Sequence, residues 1–454
     1  MDNAATSWPK PPGVEEAMLL YLREEGGNPG RSGHRLSLAA SRRIFQVRLA
    51  LAEFLGVKDP ARIIFTQNAT EALSLALIGS LNPQDRVLST AIEHNAVSRT
   101  LSFLRSCGVD VEIISVSPRG SLDVTGLESA LKRKKTKMVV VNWASNVAGW
   151  TIDLDEVSGL VKRYGALLLV DAAQGLGHLP LLLSDRIDDR IDMLAASGHK
   201  GLLGPQGTGF LYLGPSSNPR PLIYGGTGSA SSSDEQPGFL PDKYESGTLN
   251  GPGIAGLGAG LGTLLKEGVI EVARKEACLA ATLAKGLMEI PGVKLHGAWS
   301  EEKRVLSWLP QHGAEVRMPA SKNPVTPADD GTAAESSGGV VNARTPLAGT
   351  DVGDGRTPVT TRAPVLGVPG IPDAVAVVSM TLEGWDPAQL AFELDRRYGI
   401  MVRAGLHCSP WAHRTLGTFP TGTVRFSPGL YTTPDEIETV VSAVKELAIE
   451  RKGG

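Results

Sequence analysis

Apolar and polar positions follow two different periods along the chain, and together they predict its secondary structure. Residues 15–25 and 37–55 carry apolar side chains at helical spacing, and the second segment stops at Gly56, so both are predicted helices. Beyond residue 60, short apolar runs rich in Val, Ile and Leu alternate with amphipathic segments of helical length. The runs predict strands at 62–66, 85–90, 111–116, 137–142 and 166–171, separated by helices at 69–81, 96–108, 125–134 and 155–165.

A further predicted strand at 374–382 and predicted helices at 387–399 and 434–450 follow near the end of the sequence. Apolar strands that alternate with helices are typical of an α/β fold built on a mostly parallel sheet, with helices on both faces. Ligands in such sheets bind beyond the carboxyl ends of the strands. Functional side chains are therefore expected just after strands.

The segment 313–370 breaks this pattern. It contains no Phe, Tyr, Trp or Ile and is rich in Pro, Gly, Thr, Ala and Asp. Such a composition buries too little apolar surface to offset the entropy that is lost when a chain is ordered. We therefore predict a disordered insertion at 313–370.

The bulk composition narrows the classes of function. With 454 residues the chain is long enough for two domains, and its 20% charged residues and net charge of −3 are ordinary for a globular protein. There is no clustered basic excess of the kind that nucleic acids or membrane surfaces attract. No apolar run approaches the roughly 20 residues of a membrane span, and the start of the sequence lacks a signal-peptide pattern. A cytoplasmic protein without nucleic-acid or membrane partners is the expectation.

Three cysteines, Cys107, Cys278 and Cys408, are spread along the sequence. An odd and sparse set argues against a disulfide framework and favours a reducing compartment. No C-x-x-C pair is present, so we predict no structural metal site. Cys107 and Cys278 fall within helical patterns and are interpreted as packing residues, and any functional cysteine is expected to act as a single thiol.

Two short blocks place chemically useful side chains after strands. Lys200 lies in the Gly-rich segment SGHKGLLGPQGTG, which follows the apolar run IDMLAA. Asp171 ends the run ALLLV, where a buried carboxylate needs a partner. A protonated pyridine nitrogen is such a partner, and the carboxylate keeps that ring cationic, as an electron-accepting cofactor requires. Taken singly, each residue also has a plainer interpretation, a surface lysine in a turn and an aspartate that caps the next helix.

A third block, FTQNATEALSLAL, predicts a strand, a turn and a helix. Asn68 and Glu71 have the spacing of a capping box at the start of that helix. Free backbone N–H groups at a helix start suit a phosphate, and Thr70 adds a hydroxyl. A plain helix cap is the alternative, but the acid at a strand end, the phosphate cradle and the later lysine occur together and in this order.

Ten blocks of this kind resemble the class V aminotransferase group of fold type I pyridoxal 5′-phosphate (PLP) enzymes, and within it the cysteine desulfurase family. The resemblance covers nearly the whole chain outside residues 300–373. The blocks are MDNAATS (1–7), GNPGRSGHRLS (27–37), NATEALSLAL (68–77), IEHNAV (92–97), ASNVAG (144–149), VDAAQ (170–174), SGHKGLLGPQGTG (197–209), YESGTLN (244–250), RAGLHC (403–408) and TVRFSPG (423–429).

The resemblance implies a fold and an assembly. The fold is that of a fold type I PLP-dependent transferase, with a mostly parallel sheet in a large PLP-binding domain and a smaller α+β C-terminal domain. The implied large domain spans residues 14–255, and the small domain combines residues 1–13 with 256–454, apart from the insertion at 313–370. The implied assembly is a homodimer with active sites at the subunit interface.

Roles for individual residues also follow from the resemblance. Lys200 is implied to hold the cofactor as a Schiff base and to move the Cα proton, while Asp171 pairs with the pyridine nitrogen and His94 stacks on the ring. Asn146 and Gln174 are implied to contact the phenolic oxygen of the ring. The implied phosphate ligands are Ala69, Thr70, Ser197 and His199, joined by Thr248 from the second subunit of the dimer. Arg425 is implied to bind the substrate carboxylate, with Asn28 and His34 near the substrate.

Cys408 separates the subclasses of enzyme. It follows Leu406 and His407 in a Gly-containing loop, which favours an accessible thiol over a packed one. In the family that the chain resembles, the cysteine in this position attacks the sulfur of the substrate. The implied reaction converts L-cysteine to L-alanine and leaves a persulfide on Cys408, which then passes to a sulfur-acceptor protein or thiol. Cys408 is implied to be catalytic together with Lys200 and His94.

Three alternatives stay open at this point. A selenocysteine lyase on the same scaffold would accept selenocysteine instead of cysteine, an aminotransferase would make Cys408 incidental, and a silent PLP-binding partner protein would catalyse nothing. Two departures from the family pattern bear on the prediction. The sequence begins at MDNAAT, so the first strand is expected to be short, and Leu406 stands where many relatives carry a second His.

Overall fold

A computed structural model describes residues 1–30, 32–181, 183, 186–230, 232–309 and 372–450. The predicted insertion at 313–370 lies outside the described residues. The helices within them are α1 (Pro12–Leu20), α2 (Arg35–Leu55), α3 (Ala69–Ser80), α4 (Asn95–Ser106), α5 (Val124–Arg133), α6 (Leu154–Arg163), α7 (Ile187–Arg190), α8 (Gly251–Glu267), α9 (Val269–Met288), α10 (Glu302–Trp308), α11 (Pro387–Tyr398), α12 (Pro410–Leu416) and α13 (Pro434–Glu450).

The larger sheet of the described residues has seven strands in the order β1-β7-β6-β5-β4-β2-β3. Strand β7 runs antiparallel to both of its neighbours and the other pairings are parallel, which confirms the predicted mostly parallel sheet. These strands are β1 (Ile63–Thr66), β2 (Arg86–Thr90), β3 (Asp110–Ile114), β4 (Met138–Asn142), β5 (Leu167–Asp171), β6 (Met193–Ser197) and β7 (Gly209–Leu213).

A change of winding direction marks the middle of this sheet. Strand β2 is followed in sequence by β3 on one side, whereas the neighbouring strand β4 is followed by β5 on the other side. Connections that leave adjacent parallel strands in opposite directions open a crevice at the carboxyl ends of those strands. The fold therefore forms its principal binding crevice beyond β2 and β4.

Both faces of the sheet are buried, as the uninterrupted apolar runs predict. Val140 lies on one face, in the same core cluster as Leu73 of α3 and Val97 of α4. Val139 and Val141 point to the opposite face, into the larger core. Alternate residues of one strand thus fill two cores, which is why the strands show no polar alternation.

A second sheet has four antiparallel strands in the order β10-β11-β9-β8. They are β8 (Val293–His296), β9 (Val378–Leu382), β10 (Arg403–Gly405) and β11 (Thr423–Phe426). The start of the sequence joins this region through a single bridge between Asp2 and Ser427. Helix α8 runs across residue 255, and the proposed domain boundary there stays a prediction.

Two sequence predictions need correction. The strand predicted at 374–382 begins only at Val378, because Ala374 and Val375 bond to the loop that follows β4, through Trp150 and Gly149. Residues 374–377 are buried, but they link the loop to the sheet instead of extending the strand.

The interpretation of Cys107 as a packing residue is wrong. It is exposed at the carboxyl end of α4, beyond the buried positions Leu101 and Leu104. Cys278 lies inside α9 and is partly buried, as its helical pattern predicted. The apolar spacing around Cys107 was correct, but the helix ends one residue before it.

Candidate active site

A cavity of about 280 Å³ lies at the carboxyl ends of the central strands. It collects every residue that the sequence assigned to the cofactor, except Thr248. These lining residues are Ala69, Thr70, His94, Asn146, Asp171, Gln174, Ser197, His199 and Lys200. Residues far apart in sequence meet here because strand ends share one edge of the sheet.

The start of α3 forms one wall of the cavity. Asn68 caps the helix by accepting a hydrogen bond from the Glu71 N–H at 3.0 Å, while the Glu71 carboxylate accepts from the Gln67 N–H at 2.7 Å. The predicted capping box therefore forms, except that the Glu71 carboxylate accepts from the Gln67 N–H instead of the Asn68 N–H. The Ala69 N–H reaches the Ser197 hydroxyl at 3.3 Å. The helix start and the hydroxyl residues Thr70 and Ser197 line the cavity, a setting that suits an anion.

His199 supplies a further polar atom next to this wall. Its Nδ1 is buried and makes no hydrogen bond to any described residue. Burial lowers the pKa of this imidazole to about 4, with smaller contributions from Lys200 and Lys10. A buried ring nitrogen without a partner at the edge of an anion cradle fits a bound phosphate, which is the group that PLP would place there.

Asp171 and Lys200 form the charged pair of the cavity. Asp171 ends β5, is 4% exposed and accepts the Ala173 N–H at 3.0 Å. Burial raises the pKa of this carboxyl, and Lys200 opposes that shift. Burial also lowers the pKa of the Lys200 amine to about 8, against the attraction of Asp171. The amine is therefore readily obtained in its nucleophilic, neutral form near neutral pH.

His94 both caps helix α4 and lines the cavity. It is the N-cap of α4, where its Nδ1 accepts the Ala96 N–H at 3.1 Å, and its ring lines the cavity. Burial first, and then the Lys200 charge, lower the pKa of this imidazole to about 4. A neutral ring with Nδ1 as acceptor carries its proton on Nε2. Such a flat, uncharged ring in the cavity is suited to stacking on an aromatic cofactor.

Asn146 connects this cavity to the loop of Cys408. Its Nδ2 donates to the main-chain carbonyl of His407 at 2.8 Å, and its Oδ1 accepts from the Ser409 hydroxyl at 2.8 Å. One amide side chain therefore bonds the residues on both sides of Cys408. A third bond joins the Asn95 N–H to the Cys408 carbonyl at 2.7 Å. The loop is thus tied to the end of β4 and to the start of α4.

The Cys408 thiol is exposed and lies beside an arginine. The Arg403 guanidinium donates to Sγ at 3.1 Å. His407 and Cys408 have φ angles of 50° and 58°, a left-handed backbone that non-glycine residues seldom adopt. Because two successive non-glycine residues have this backbone, contacts with the surrounding structure must hold the loop in this conformation.

Arg425 is fully buried on β11 and is already paired. One guanidinium nitrogen, Nη2, lies 2.5 Å from the Asp2 carboxylate, and Nη1 donates to the Asn146 carbonyl at 3.0 Å. Its Nε is buried and has no hydrogen-bond partner among the described residues. Burial lowers the pKa of Arg425, while the Asp2 carboxylate raises it. Arg425 does not line the cavity, but Asn146 joins the two.

The remaining candidates lie away from the cavity, on an exposed surface. The Thr248 hydroxyl is 3.4 Å from the side-chain oxygen of Asn28. His34 caps α2 by accepting the Ser37 N–H at 3.3 Å, and Ser37 in turn donates to the Asn28 carbonyl. Asn28, His34 and Thr248 therefore form one group, separate from the lining of the cavity.

Three residues of the site had no assigned role in the sequence, although each lies in one of the recognised blocks. They are Asp2 and Arg403, described above, and Glu93. Glu93 is fully buried, with Oε1 accepting from the Thr90 hydroxyl at 2.5 Å and from the Asn142 N–H at 2.9 Å. Burial raises the pKa of this carboxyl to about 8. The acidic residue next to His94 in IEHNAV was the available signal.

Two other kinds of feature are absent from the described parts of the chain. No group of three or more His, Cys, Asp and Glu side chains is arranged to bind a metal ion there. No helix among the same residues is long and apolar enough to span a membrane.

Comparisons with known proteins identify the family of the chain. The family model of class V aminotransferases matches residues 1–312 and 365–440. A probable cysteine desulfurase of Methanothermobacter thermautotrophicus is 28% identical over 98% of this chain and 94% of its own length. A probable cysteine desulfurase of Pyrococcus abyssi is 35% identical over 64% of this chain and 73% of its own length.

Similarity extends to solved structures. The apo structure of the cysteine desulfurase from Thermococcus onnurineus has a TM-score of 0.76 and 27% identity, and the alignment covers 99% of this chain and 94% of that one. The family match, the relatives and the shared fold confirm the family to which the sequence blocks pointed. The chain belongs to the class V aminotransferases, a family of PLP-dependent fold type I enzymes, and within it to the cysteine desulfurases.

Proposed function

We propose that this protein is a PLP-dependent cysteine desulfurase, which converts L-cysteine to L-alanine and retains the sulfur as a persulfide on Cys408. One observation carries the proposal above all. Asn146 lines the cavity of Lys200 and Asp171, and the same side chain bonds the residues on both sides of Cys408. A candidate nucleophile is therefore tied directly to a candidate PLP site.

The residues of the cavity fit PLP. The N–H groups at the start of α3 and the unpartnered Nδ1 of His199 suit its phosphate, and Asp171 suits a protonated pyridine nitrogen. When bound, PLP supplies an electron-accepting ring conjugated to the substrate amine. A cationic ring nitrogen would also relieve the cost of burying the Asp171 carboxylate.

Lys200 acts on the cofactor and on the proton at Cα. Its amine is nucleophilic in the neutral form, which the lowered pKa of about 8 makes accessible. With PLP bound, the free amine of Lys200 would be placed to remove the Cα proton of the substrate and to return it elsewhere on the substrate. One partly buried lysine therefore performs attachment and proton transfer at a single place.

The proposed carboxylate ligand is Arg425. A guanidinium presents several N–H donors in one plane and so orients a carboxylate, which directs the side chain of a bound amino acid. Because Asn146 accepts from Arg425 and also bonds the loop of Cys408, a substrate on Arg425 would lie between the cavity and the thiol.

Sulfur transfer is assigned to the Cys408 thiolate. The thiolate attacks the sulfur of the substrate, an S–S bond forms, and the C–S bond breaks with its electron pair moving to the substrate carbon. Protonation of that carbon completes alanine, so no outside oxidant is needed. The Arg403 guanidinium, 3.1 Å from Sγ, supports negative charge on the sulfur before the attack.

We further propose a homodimer in which Thr248 reaches the phosphate site of the second subunit. The contact between Thr248 and Asn28 then implies that Asn28 and His34 approach the substrate of that subunit as well. Exposed apolar side chains near Thr248 in sequence, Tyr224 and Phe239, suit burial at a subunit interface.

The proposed location and partner rest on general features. A cytoplasmic location agrees with the sparse cysteines and the absence of disulfides among the described residues. The exposed thiol of Cys408 is accessible to a sulfur-acceptor protein or thiol, which would take the persulfide sulfur after alanine has left.

The test is turnover of L-cysteine by the purified protein with PLP and a thiol reductant, with sulfide and alanine measured in the same samples. Equal amounts of the two products are expected. Sulfide accompanied by pyruvate and ammonia would indicate elimination instead, and amino transfer to a keto acid without sulfide would indicate an aminotransferase. Turnover of selenocysteine alone would indicate a selenocysteine lyase, and no turnover of any amino acid a silent partner.

A further inference from the structure

A chain of three side chains, two buried histidines and the half-buried Thr418, lies next to the loop of Cys408. The Thr418 hydroxyl lies 2.7 Å from Nδ1 of His413, Nε2 of His413 lies 3.2 Å from Nδ1 of His407, and Nε2 of His407 lies 3.1 Å from the carbonyl of Arg403. The two imidazoles stack with their centroids 5.4 Å apart. His413 is fully buried and His407 is 2% exposed, so the bond between the two imidazoles is shielded from water.

The chemistry of the last acceptor determines the direction of every bond in this chain. A carbonyl oxygen can only accept, so Nε2 of His407 carries a proton and Nδ1 of a neutral His407 accepts. Nε2 of His413 must then donate to it, and Nδ1 of His413 must accept from the Thr418 hydroxyl. Burial lowers the pKa of His407 to about 2 and that of His413 to about 4, so both rings are neutral at physiological pH.

The chain ends on the residues that frame the thiol. Its last acceptor is the main chain of Arg403, whose side chain donates to Sγ of Cys408, and His407 is the neighbour of Cys408. The left-handed backbone of His407 and Cys408 needs such support, because neither residue favours it. Asn146 bonds the same loop from the cavity, and His413 and Thr418 add a second set of bonds that reaches the loop through His407.

We propose that Thr418, His413 and His407 form a directional hydrogen-bond chain that positions the Cys408 thiol beside Arg403 for sulfur transfer. This inference rests on the proposed function, since it assigns the chain to the sulfur-transfer step. His413 and Thr418 touch neither the cavity nor the thiol and are positioning residues. Their effect should therefore fall on the reactivity of Cys408 and on the step that uses it.

Thr418→Val removes the first donor at nearly constant volume, and Thr418→Ser restores a hydroxyl. The matched control is Thr381→Val, which breaks a similar bond, 3.0 Å between Thr381 and His296, elsewhere in the second sheet. The first measurement is the rate of alkylation of Cys408 by iodoacetamide in the full-length protein, followed by peptide mass spectrometry. The exposed Cys107 in the same molecule is the internal reference.

Thr418→Val should change the ratio of Cys408 to Cys107 alkylation and lower kcat for cysteine roughly tenfold or more, because small misplacements of a reacting group are costly. KM should change little, and Thr418→Ser should return both quantities toward the original values. His413→Leu should act like Thr418→Val. If Thr418→Val and His413→Leu behave like Thr381→Val in both measurements, the chain does not position the thiol.

Imidazole ¹⁵N NMR of the unmodified protein gives a second, independent test. It requires no substitution, so it stays valid if the variants fail to fold. Both His407 and His413 should be neutral and carry the proton on Nε2 near neutral pH. An Nδ1–H form of either ring would overturn the proposal. Alkylation and NMR do not depend on turnover, so a protein that passes both tests but produces no sulfide would refute the proposed function and leave the placement of the thiol intact.

Discussion

The cofactor cavity and the Cys408 loop hold their reactive groups by different means. Asp171 and Ser197 end buried parallel strands, and Lys200 follows three residues after one of them, so the sheet itself fixes where these side chains point. Cys408 belongs to a loop with a left-handed backbone, and side-chain hydrogen bonds from distant residues hold it in place. The first centre is part of the core, whereas the second is attached to it.

This difference matches two different tasks. A group that withdraws electrons and moves a proton works best in a fixed, partly dehydrated place, which buried strand ends provide. A thiol that must meet a substrate and then a separate acceptor has to be exposed, and Cys408 is exposed. The comparison predicts that changes in the cavity abolish all chemistry, while changes in the loop abolish only the transfer of sulfur.

Lys200→Arg should have the largest effect. It keeps a positive charge but removes the nucleophilic amine, so covalent attachment of PLP should be lost and cysteine turnover should fall by about 10⁴-fold or more. Borohydride reduction and peptide mapping of the original protein should place the label on Lys200. Lys132→Arg, on an exposed helix, is the matched control and should change neither quantity. Label on another lysine would refute the assignment.

Cys408→Ser should separate the two centres. The variant should bind PLP and show spectral changes with L-cysteine, because the cavity and Arg425 are unchanged, yet sulfide and alanine formation should fall by about 10³-fold. Cys107→Ser is the control, since it removes another exposed thiol outside the site. Full sulfide production by Cys408→Ser would show that this thiol is not the nucleophile.

The pH dependence of cofactor attachment sharpens the view of the cavity. A lysine with its pKa lowered to about 8 becomes neutral as the pH rises through that value. The rate at which apoprotein binds PLP covalently should therefore increase by about tenfold per pH unit below 8 and level off above it. Asp171→Asn removes the charge that opposes this shift, so its midpoint should lie at lower pH. An unchanged midpoint would mean that Asp171 does not act on Lys200.

Glu93→Gln should give the smallest change in activity and a clear change in stability. Burial raises the pKa of the Glu93 carboxyl to about 8, so below the pKa of the unfolded state the carboxyl is neutral and does not lower the free energy of unfolding. As the pH rises toward 8, ionisation favours the unfolded state and the free energy of unfolding falls. Relative to the unmodified apoprotein, Glu93→Gln should gain roughly 3–5 kcal/mol of unfolding free energy between pH 4.5 and 8. Denaturant titrations at both pH values measure this, with the exposed Glu156→Gln as control. A pH-independent difference would mean that Glu93 is ionised throughout.

Local patterns in the sequence were sufficient for most of the fold. Strand β5 and helix α3 lie where their apolar runs placed them, because each run has a period and an end signal of its own. The strand at 374–382 came out too long, since the sequence does not reveal that Ala374 and Val375 bond to the loop after β4.

The residues of the site also fall into those that the local sequence predicts and those that it does not. Lys200 and Asp171 could be found because each follows an apolar strand, and that position is visible locally. The bonds from Asn146 to the Cys408 loop join residues that are more than 250 positions apart in sequence, and only the packing of the two sheets brings them together. Arg403, which donates to the Cys408 sulfur, was accordingly among the residues of the site that sequence reasoning missed.

The pairing of Asp2 with Arg425 has a consequence for how substrate enters and product leaves. The guanidinium already holds a carboxylate, so if Arg425 binds the substrate as proposed, an incoming carboxylate would exchange with Asp2 instead of filling a bare positive charge. The net gain in affinity is only the difference between two similar contacts. Alanine carries the same carboxylate as cysteine and faces the same competitor, so Asp2 can reclaim Arg425 as the product departs. Such an arrangement would lower the affinity for the substrate and speed the release of the product.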